Sequence, residues 1–267
     1  MNKCLIAGLP DAGKSTYIAA LSYILEHPSD QQALRIYIRN DDRAYINQLS
    51  EAWLNQEALA RTTQGEFNRL TFSITDKNAD KFNLTIPDIA GEEFKSLLQN
   101  RDSFLDDWDA DCNGLLFFIN KLPDLPILQE QIGETNQSSE NVFPEFSVDR
   151  ISIDIQIILL IKTLLQKFPI KNLVICISAW DELIDVYTKP AECITERCPI
   201  LYNFVMHYFP DCKIFGVSAQ GGSYNDEIVD TLYENTINNS RAYIVTPDGE
   251  KIYDITLPLE SFIHLDI

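Results

Sequence analysis

The chain has 267 residues, 45% of them hydrophobic and 23% charged, which is ordinary globular composition with material for one large core. Its formal net charge is −19, from 40 acidic against 21 basic residues, and no Lys/Arg-rich stretch offsets it. Such a surface repels the nucleic-acid backbone and anionic membranes, so neither is expected as a partner.

In chain order, the first apolar run, Lys3–Gly8, is too short for a signal-peptide core and reads as a strand. A helix follows directly over Lys14–Glu26. Residues 28–66 make a long connection, within which Asp41–Ala58 places Ile46, Leu49, Trp53 and Leu54 on one helical face. Strands are expected at Arg69–Thr75 and Phe82–Pro87, separated by the polar turn TDKNADK and so paired as a hairpin. The strands Gly114–Asn120, Asn172–Ser178 and Lys213–Ser218 contain runs, such as LLFFIN and LVICIS, that are apolar throughout. Strands covered on both faces need that pattern.

Residues 123–148 are polar, hold three prolines and read as a loop, an insertion suited to partner contacts or merely tolerated at the surface. The segment Ile151–Phe168 reads as an apolar helix with Asp149 as N-cap. Arg150, Asp154, Lys162 and Lys167 exclude a membrane span there. Further helices are expected at 192–208 and 225–237, with a short one after Pro258. The alternation defines an α/β fold: three layers, with a mostly parallel central sheet of about six strands, one of them an antiparallel hairpin strand, flanked by helices. The six cysteines, at 4, 112, 176, 193, 198 and 212, form no CxxC pair and have no neighbouring His/Cys cluster. They read as buried or incidental thiols in a reducing compartment, hence a cytoplasmic location.

The strongest motif is Gly8-Leu-Pro-Asp-Ala-Gly13-Lys14-Ser15, a full GxxxxGK[ST] pattern between an apolar strand and a helix. Gly8 and Gly13 let the backbone wrap a phosphate chain, and the helix start adds a positive dipole end, with Asp11, Ala12 and Thr16 in the same wrap. Lys14 is expected on the β- and γ-phosphates and Ser15 on Mg²⁺. Asp88-Ile-Ala-Gly91 follows at a strand end: Asp88 suits the magnesium shell and Gly91 a γ-phosphate contact. Ser178-Ala-Trp-Asp181 ends another strand. A carboxylate at Asp181 accepts both the N1–H and the 2-amino group of guanine, and adenine would leave it desolvated and unpaired. In Ser218-Ala-Gln220 the N–H of Ala219 suits guanine O6. The expected nucleotide-binding set is therefore Gly8, Asp11, Ala12, Gly13, Lys14, Ser15, Thr16, Trp180, Asp181, Ser218 and Ala219, with GTP or GDP as ligand.

The ordered set GLPDAGKS, DIAG, SAWD and SAQ resembles the G1, G3, G4 and G5 motifs of the translation-factor-related GTPase class, with its Ras/Obg/Era-like P-loop fold, from residue 1 to about 220. The resemblance implies one G domain over 1–267, with insertions at about 28–66 and 123–148 and an extension, 221–267, completing the fold. The long insertions, the SAWDEL form and the tail RAYIVTPDGEKIYDITLPLESFI look like the bacterial double-GTPase-type family, which implies a role in multi-gene defence or conflict systems. It also implies GTP hydrolysis with Lys14, Gly91, Glu92 and Thr62 catalytic, with Ser15, Thr62 and Asp88 as metal residues. Thr62 and Thr63, in ARTTQGEF, are both placed for the switch threonine, with Thr62 preferred.

Three departures matter. Ala179 replaces the usual lysine that packs on the base and ties to the P-loop, leaving Trp180 as the packing substitute. Glu92 stands where a water-orienting glutamine is usual, so an arginine from a partner, or Arg61 in cis, becomes a candidate for supplying charge. Asp11 stands where GxPNxGKS proteins carry an asparagine that helps bind K⁺, which makes K⁺ a second candidate ion. The expected activity is that of a nucleotide-dependent switch acting on a protein partner, the acidic surface favouring one with a basic face. A non-hydrolysing scaffold and an ATP-using P-loop enzyme are the alternatives, and oligomeric state is left open.

Overall fold

The computed structural model describes residues 4–29, 32–38, 44–57, 67–99, 112–120, 122, 151–222 and 229–263. Strand β1 (Cys4–Ala7) leads into helix α1 (Lys14–Glu26); β2 (Arg35–Ile38) and α2 (Ala44–Leu54) follow, then the hairpin β3 (Phe67–Thr75) and β4 (Lys81–Ile89). After α3 (Gly91–Leu98) come β5 (Gly114–Ile119), α4 (Ile153–Lys167), β6 (Asn172–Ser178), α5 (Pro190–Arg197), α6 (Pro199–Tyr208) and β7 (Lys213–Ser218). The chain continues through α7 (Val229–Ile237), β8 (Tyr243–Val245), β9 (Lys251–Ile252) and α8 (Leu257–Glu260).

The central sheet has six strands in the order β1-β5-β6-β7-β8-β9. The first four are parallel, and β8 and β9 add antiparallel at the edge. Six mostly parallel strands flanked by helices match the expected architecture, but the membership differs. The β3–β4 hairpin belongs to a separate antiparallel sheet, β2-β3-β4, whose β4 packs beside β1 without a ladder. The two central strands that take its place, β8 and β9, are three and two residues long, below what periodicity can detect.

Alternation along the parallel strands explains the core. Cys4 and Ile6 of β1 and Leu116 and Phe118 of β5 face one apolar cluster, shared with α1, α2 and the hairpin. Leu5, Ala7, Leu115, Phe117 and Ile119 face the other, shared with α3, α4, α5 and α6. Side chains two apart share a face, so a strand buried on both sides must be apolar throughout. The hairpin is turned by Asp76, whose Oδ1 accepts from the N–H of Asn78 and of Asp80, both at 2.9 Å.

Helix boundaries moved for identifiable reasons. The segment expected as one helix at 192–208 is two, because Pro199 forces Cys198 out of helical geometry (φ −137°, ψ 60°). Helix α4 starts at Ile153 with Ser152 as its N-cap, not at 151 behind Asp149. Asp154 holds that start: its Oδ1 accepts from Ser152 Oγ (2.5 Å) and from the Ile155 N–H (2.9 Å). All six cysteines are free, and five are buried. Burial pushes the thiols of Cys193 and Cys198 up to about 11 and about 12, and no metal-holding cluster occurs among the described residues. No helix of the described residues is long and apolar enough to cross a membrane.

The tail straps the connection that follows α1. Tyr17 Oη donates to Ile255 O (2.8 Å), Asp254 Oδ2 accepts from the Ala33 N–H (2.6 Å), and Thr256 Oγ1 accepts from the Leu34 N–H (3.3 Å).

Candidate functional site

The parallel strands β1, β5, β6 and β7 all end at one side of the sheet, where open α/β folds place their ligands. A cavity of about 340 Å³ opens there, in the size range of nucleotide and cofactor pockets. Its walls include Asp11 to Thr16, Ala90 to Glu92, Asn120, Ala179, Asp181, Ala219 and Gln220. Five segments far apart in sequence thus meet at one cleft.

The loop between β1 and α1 forms one end. Gly13 adopts φ 85°, and a Cβ there would lie 2.9 Å from Ser178 Cβ, so this position requires glycine. Gly8 approaches β5 closely, since a Cβ would meet Phe118 O at 2.6 Å. Lys14 is buried, and its Nζ donates to Gly8 O (2.9 Å) and Leu9 O (3.2 Å), spanning the loop, with the Phe94 ring 5.6 Å away. Helix α1 begins with no side-chain cap and no acidic residue in its first turn. Its leading N–H groups and dipole therefore face the cavity, a ready anion site. Among the described residues Lys14 is the one basic side chain on the cavity wall, which also carries Asp11, Glu92, Asp181 and Glu182.

Gly91 begins α3 directly against this loop: a Cβ would lie 2.5 Å from Pro10 N and Pro10 Cα. Its neighbour Glu92 also reaches the cavity. Asp88 lies near the end of β4, in register with Asn68 of β3; its side chain lies outside the described parts. Thr62, Thr63 and Arg61 fall in 58–66, also outside the described residues.

At the other end, Asp181 is carried by a short 3-10 turn, Trp180–Glu182, which starts from Ala179 in the left-handed region (φ 51°). That reversal puts Asp181 in the cavity and sends Trp180 the opposite way. Trp180 is fully buried, and a Cβ on Gly216 would overlap its ring at 2.2 Å. The expected contact between Trp180 and a base is therefore corrected: the ring packs in the core behind β7. Ser218 is likewise fully buried and off the cavity wall. Its Oγ donates to Asp181 Oδ1 at 2.6 Å, so it holds the carboxylate from behind. Gly8 is also set back, contributing the carbonyl that Lys14 binds. Burial first, and then the Asp181 charge, push the Tyr243 hydroxyl up to about 12, which keeps it protonated opposite Ser218 on β8.

The tie to the P-loop that an alanine at 179 cannot make is supplied elsewhere. Ser178 Oγ hydrogen-bonds Ala12 O at 2.7 Å and lies 3.1 Å from Ile119 O. Asn120 Nδ2 donates to Asp11 O at 3.1 Å, and Asp11 itself sits at φ 61°. Asn120 and Gly222 are cavity residues outside the motifs, whereas Glu182 and Gln220 fall inside SAWDEL and SAQ without a role assigned to them. Of the first two, only Asn120 left a signal, as a polar residue at the carboxyl end of an apolar strand.

A strand–glycine loop–helix at the carboxyl end of a strand in a mostly parallel sheet, with a buried lysine closing the loop, defines a P-loop protein. A family model, Double-GTPase 1, matches residues 5–262, and the chain belongs to that family. Two solved structures are similar in outline: Roco2 RocCORdC of Methanosarcina barkeri bound to GDP, and sup35 complexed with GDP. The first has a TM-score of 0.40 and 11% identity, covering 89% of this chain and 49% of that one. The second has a TM-score of 0.37 and 13% identity, covering 83% of this chain and 38% of that one. The chain thus spans half or less of both. No curated protein matches the sequence.

Proposed function

We propose that this protein binds GTP with Mg²⁺ and hydrolyses it to GDP and phosphate, as a switch for a protein partner. The observation that carries the reading is the convergence of Lys14, Gly91, Asp181 and Ala219 on one cavity. The Gly8–Ser15 end offers a helix start and a cation to phosphates, and Asp181 offers a held carboxylate to a base that carries donors. Guanine presents N1–H and a 2-amino group there, whereas adenine would leave the carboxylate without its donors.

The residues present fit magnesium. Ser15 brings a hydroxyl to the cavity wall, and Asp88 stands two positions before Ala90, which also lines it. A hydroxyl, a carboxylate and substrate phosphates are the hard oxygen set that Mg²⁺ takes, and no larger protein cage is needed. Bound there, the ion would neutralise phosphate charge. On the protein side, Lys14 holds the phosphates, Gly91 offers its N–H, and Glu92 is placed to orient water. The Asp11 carboxylate at the cavity mouth is the candidate K⁺ contact.

Thr62 is the candidate switch residue, because in sequence it stands in ARTTQGEF, just before β3. The acidic surface, at −19, favours a partner with a basic face. The family carries the further expectation of a defence or conflict role in the cytoplasm of a bacterium. Phosphate release from GTP by the purified protein, in KCl and in NaCl with Mg²⁺, tests the reading. Turnover faster in KCl is expected. Tight GTP binding with no release in either salt would leave a nucleotide-stabilised scaffold instead.

A further inference from the structure

Two consecutive carbonyls in the loop after β7 are gripped from behind by side chains of the connection and the tail. Trp53 of α2 donates its Nε1–H to Ala219 O at 2.8 Å. Arg241, just before β8, donates its Nε–H to Gln220 O at 3.1 Å. The two grips are one unit, because the Arg241 guanidinium lies over the Trp53 ring, 3.9 Å from its centroid. Trp53 is 1% and Arg241 2% exposed. A buried guanidinium is costly unless its charge and donors are met. Here the aromatic face, Gln220 O and Thr236 Oγ1 (3.4 Å) meet it.

The backbone geometry gives this clamp a direction. No peptide bond among the described residues is cis. In a planar trans peptide the N–H points opposite the C=O. Holding the carbonyls of Ala219 and Gln220 on the clamp side therefore turns the N–H groups of Gln220 and Gly221 to the other side. Ala219, Gln220 and Gly222 line the cavity, as does Asp181. The approach is close by construction: Gly221 sits at φ 87°, and a Cβ there would lie 2.6 Å from Arg241 O.

We propose that Trp53 and Arg241 are positioning residues for base selection: they fix the peptide planes that present N–H donors to the 6-oxo edge of a purine. The proposal rests on the guanine reading of the cavity given above. It gives the O6 contact expected from this loop its structural support, beside the contact of Asp181. A 6-oxo group accepts from fixed N–H donors, whereas the 6-amino group of adenine would meet them donor to donor. It also gives the two segments outside the motif order, the connection and the tail, a shared task in recognition.

The test compares affinities of GTP, inosine triphosphate and 2-aminopurine riboside triphosphate, with Mg²⁺, for the wild type, Trp53→Phe and Arg241→Lys. Inosine keeps the 6-oxo group without the 2-amino group; 2-aminopurine keeps the amino group without the 6-oxo. Trp53→Phe retains a ring under Arg241 and removes the N–H together with the rest of the pyrrole, a loss of packing that all three nucleotides would feel equally. Beyond that shared loss it should weaken GTP and inosine triphosphate alike, about fivefold to tenfold relative to the 2-aminopurine nucleotide. Arg241→Lys should show the same selective loss. An equal loss for all three nucleotides, or no loss, would overturn the proposal by reducing the pair to packing. A wild type with no preference for GTP over the 2-aminopurine nucleotide would instead overturn the guanine reading beneath it. Hydrogen exchange on the wild type needs no variant. GDP should protect the amides of α2 together with those of 219–222, and protection of the loop with no change in α2 would contradict the clamp.

Discussion

At one end of the cavity, eight consecutive residues, Gly8 to Ser15, supply the glycines, the lysine and the helix start. At the other end, Asp181 and Ala219 come from separate loops, and neither is held by its own neighbours. Ser218 fixes the carboxylate, and Trp53 and Arg241 fix the loop carbonyls. The first end is local, so its chemistry can be removed one residue at a time. The second is a product of tertiary structure, and changes far from the ligand should alter it. Phosphate is the same in every nucleotide and needs only a fixed anion cradle. A base must be told from its rivals, and that requires donors and acceptors held against rotation.

The sharpest way to break this contrast is at the local end. Lys14→Ala removes a basic side chain from the wall and should cost about 2–3 kcal/mol of nucleotide affinity, roughly a hundredfold, for GTP and ATP alike. Calorimetric titration with both nucleotides checks it; a loss confined to GTP would contradict the division of labour.

Asp181→Ala should act the other way, lowering GTP affinity by about 2 kcal/mol and sparing ATP, so that competition binding finds the preference cut roughly thirtyfold, with the share set by the loop after β7 retained.

Gly91→Ala probes the joint between α3 and the loop. Its Cβ would meet Pro10 backbone at 2.5 Å, which has no flexible end to move aside, so a destabilisation of about 1–3 kcal/mol is expected by thermal or urea unfolding.

Ser178→Ala removes the 2.7 Å tie to Ala12 O and should cost about 1 kcal/mol in stability. Its effect on GTP and ATP binding should be equal, because it acts on the loop rather than on the base.

The smallest effect is at Ala179, held at φ 51°. The left-handed conformation costs an alanine about 1–2 kcal/mol, while glycine loses about 0.4–1 kcal/mol to the freer unfolded chain. Ala179→Gly should therefore raise stability by about 0.5 kcal/mol with GTP affinity unchanged, as chemical unfolding and titration would report.

The same contrast explains what the sequence made legible. The P-loop could be named because its function lies in a contiguous pattern between a strand and a helix. The parallel strands were legible because burial on both faces demands unbroken apolar runs, as in β5 and β6. Trp180 was misplaced because its direction depends on the left-handed turn at Ala179, which no periodicity announces. Trp53 was placed on an apolar helical face, and its ring does pack there, but its N–H bond to a loop 166 residues away leaves no local mark. Arg241 and the strands β8 and β9 lie in a tail whose pairing is decided by the sheet edge it meets. Ser178 taking over the P-loop tie from the residue at 179 was equally out of reach, because the substitution moves the contact to a neighbour.

The most direct test of the account is equilibrium competition between GTP and ATP for the wild-type protein with Mg²⁺. Two base-reading elements, Asp181 and the clamped loop after β7, predict a preference for GTP of at least a hundredfold. Equal binding, or a preference for ATP, would contradict the account and leave a P-loop cavity whose carboxylate serves some other purpose.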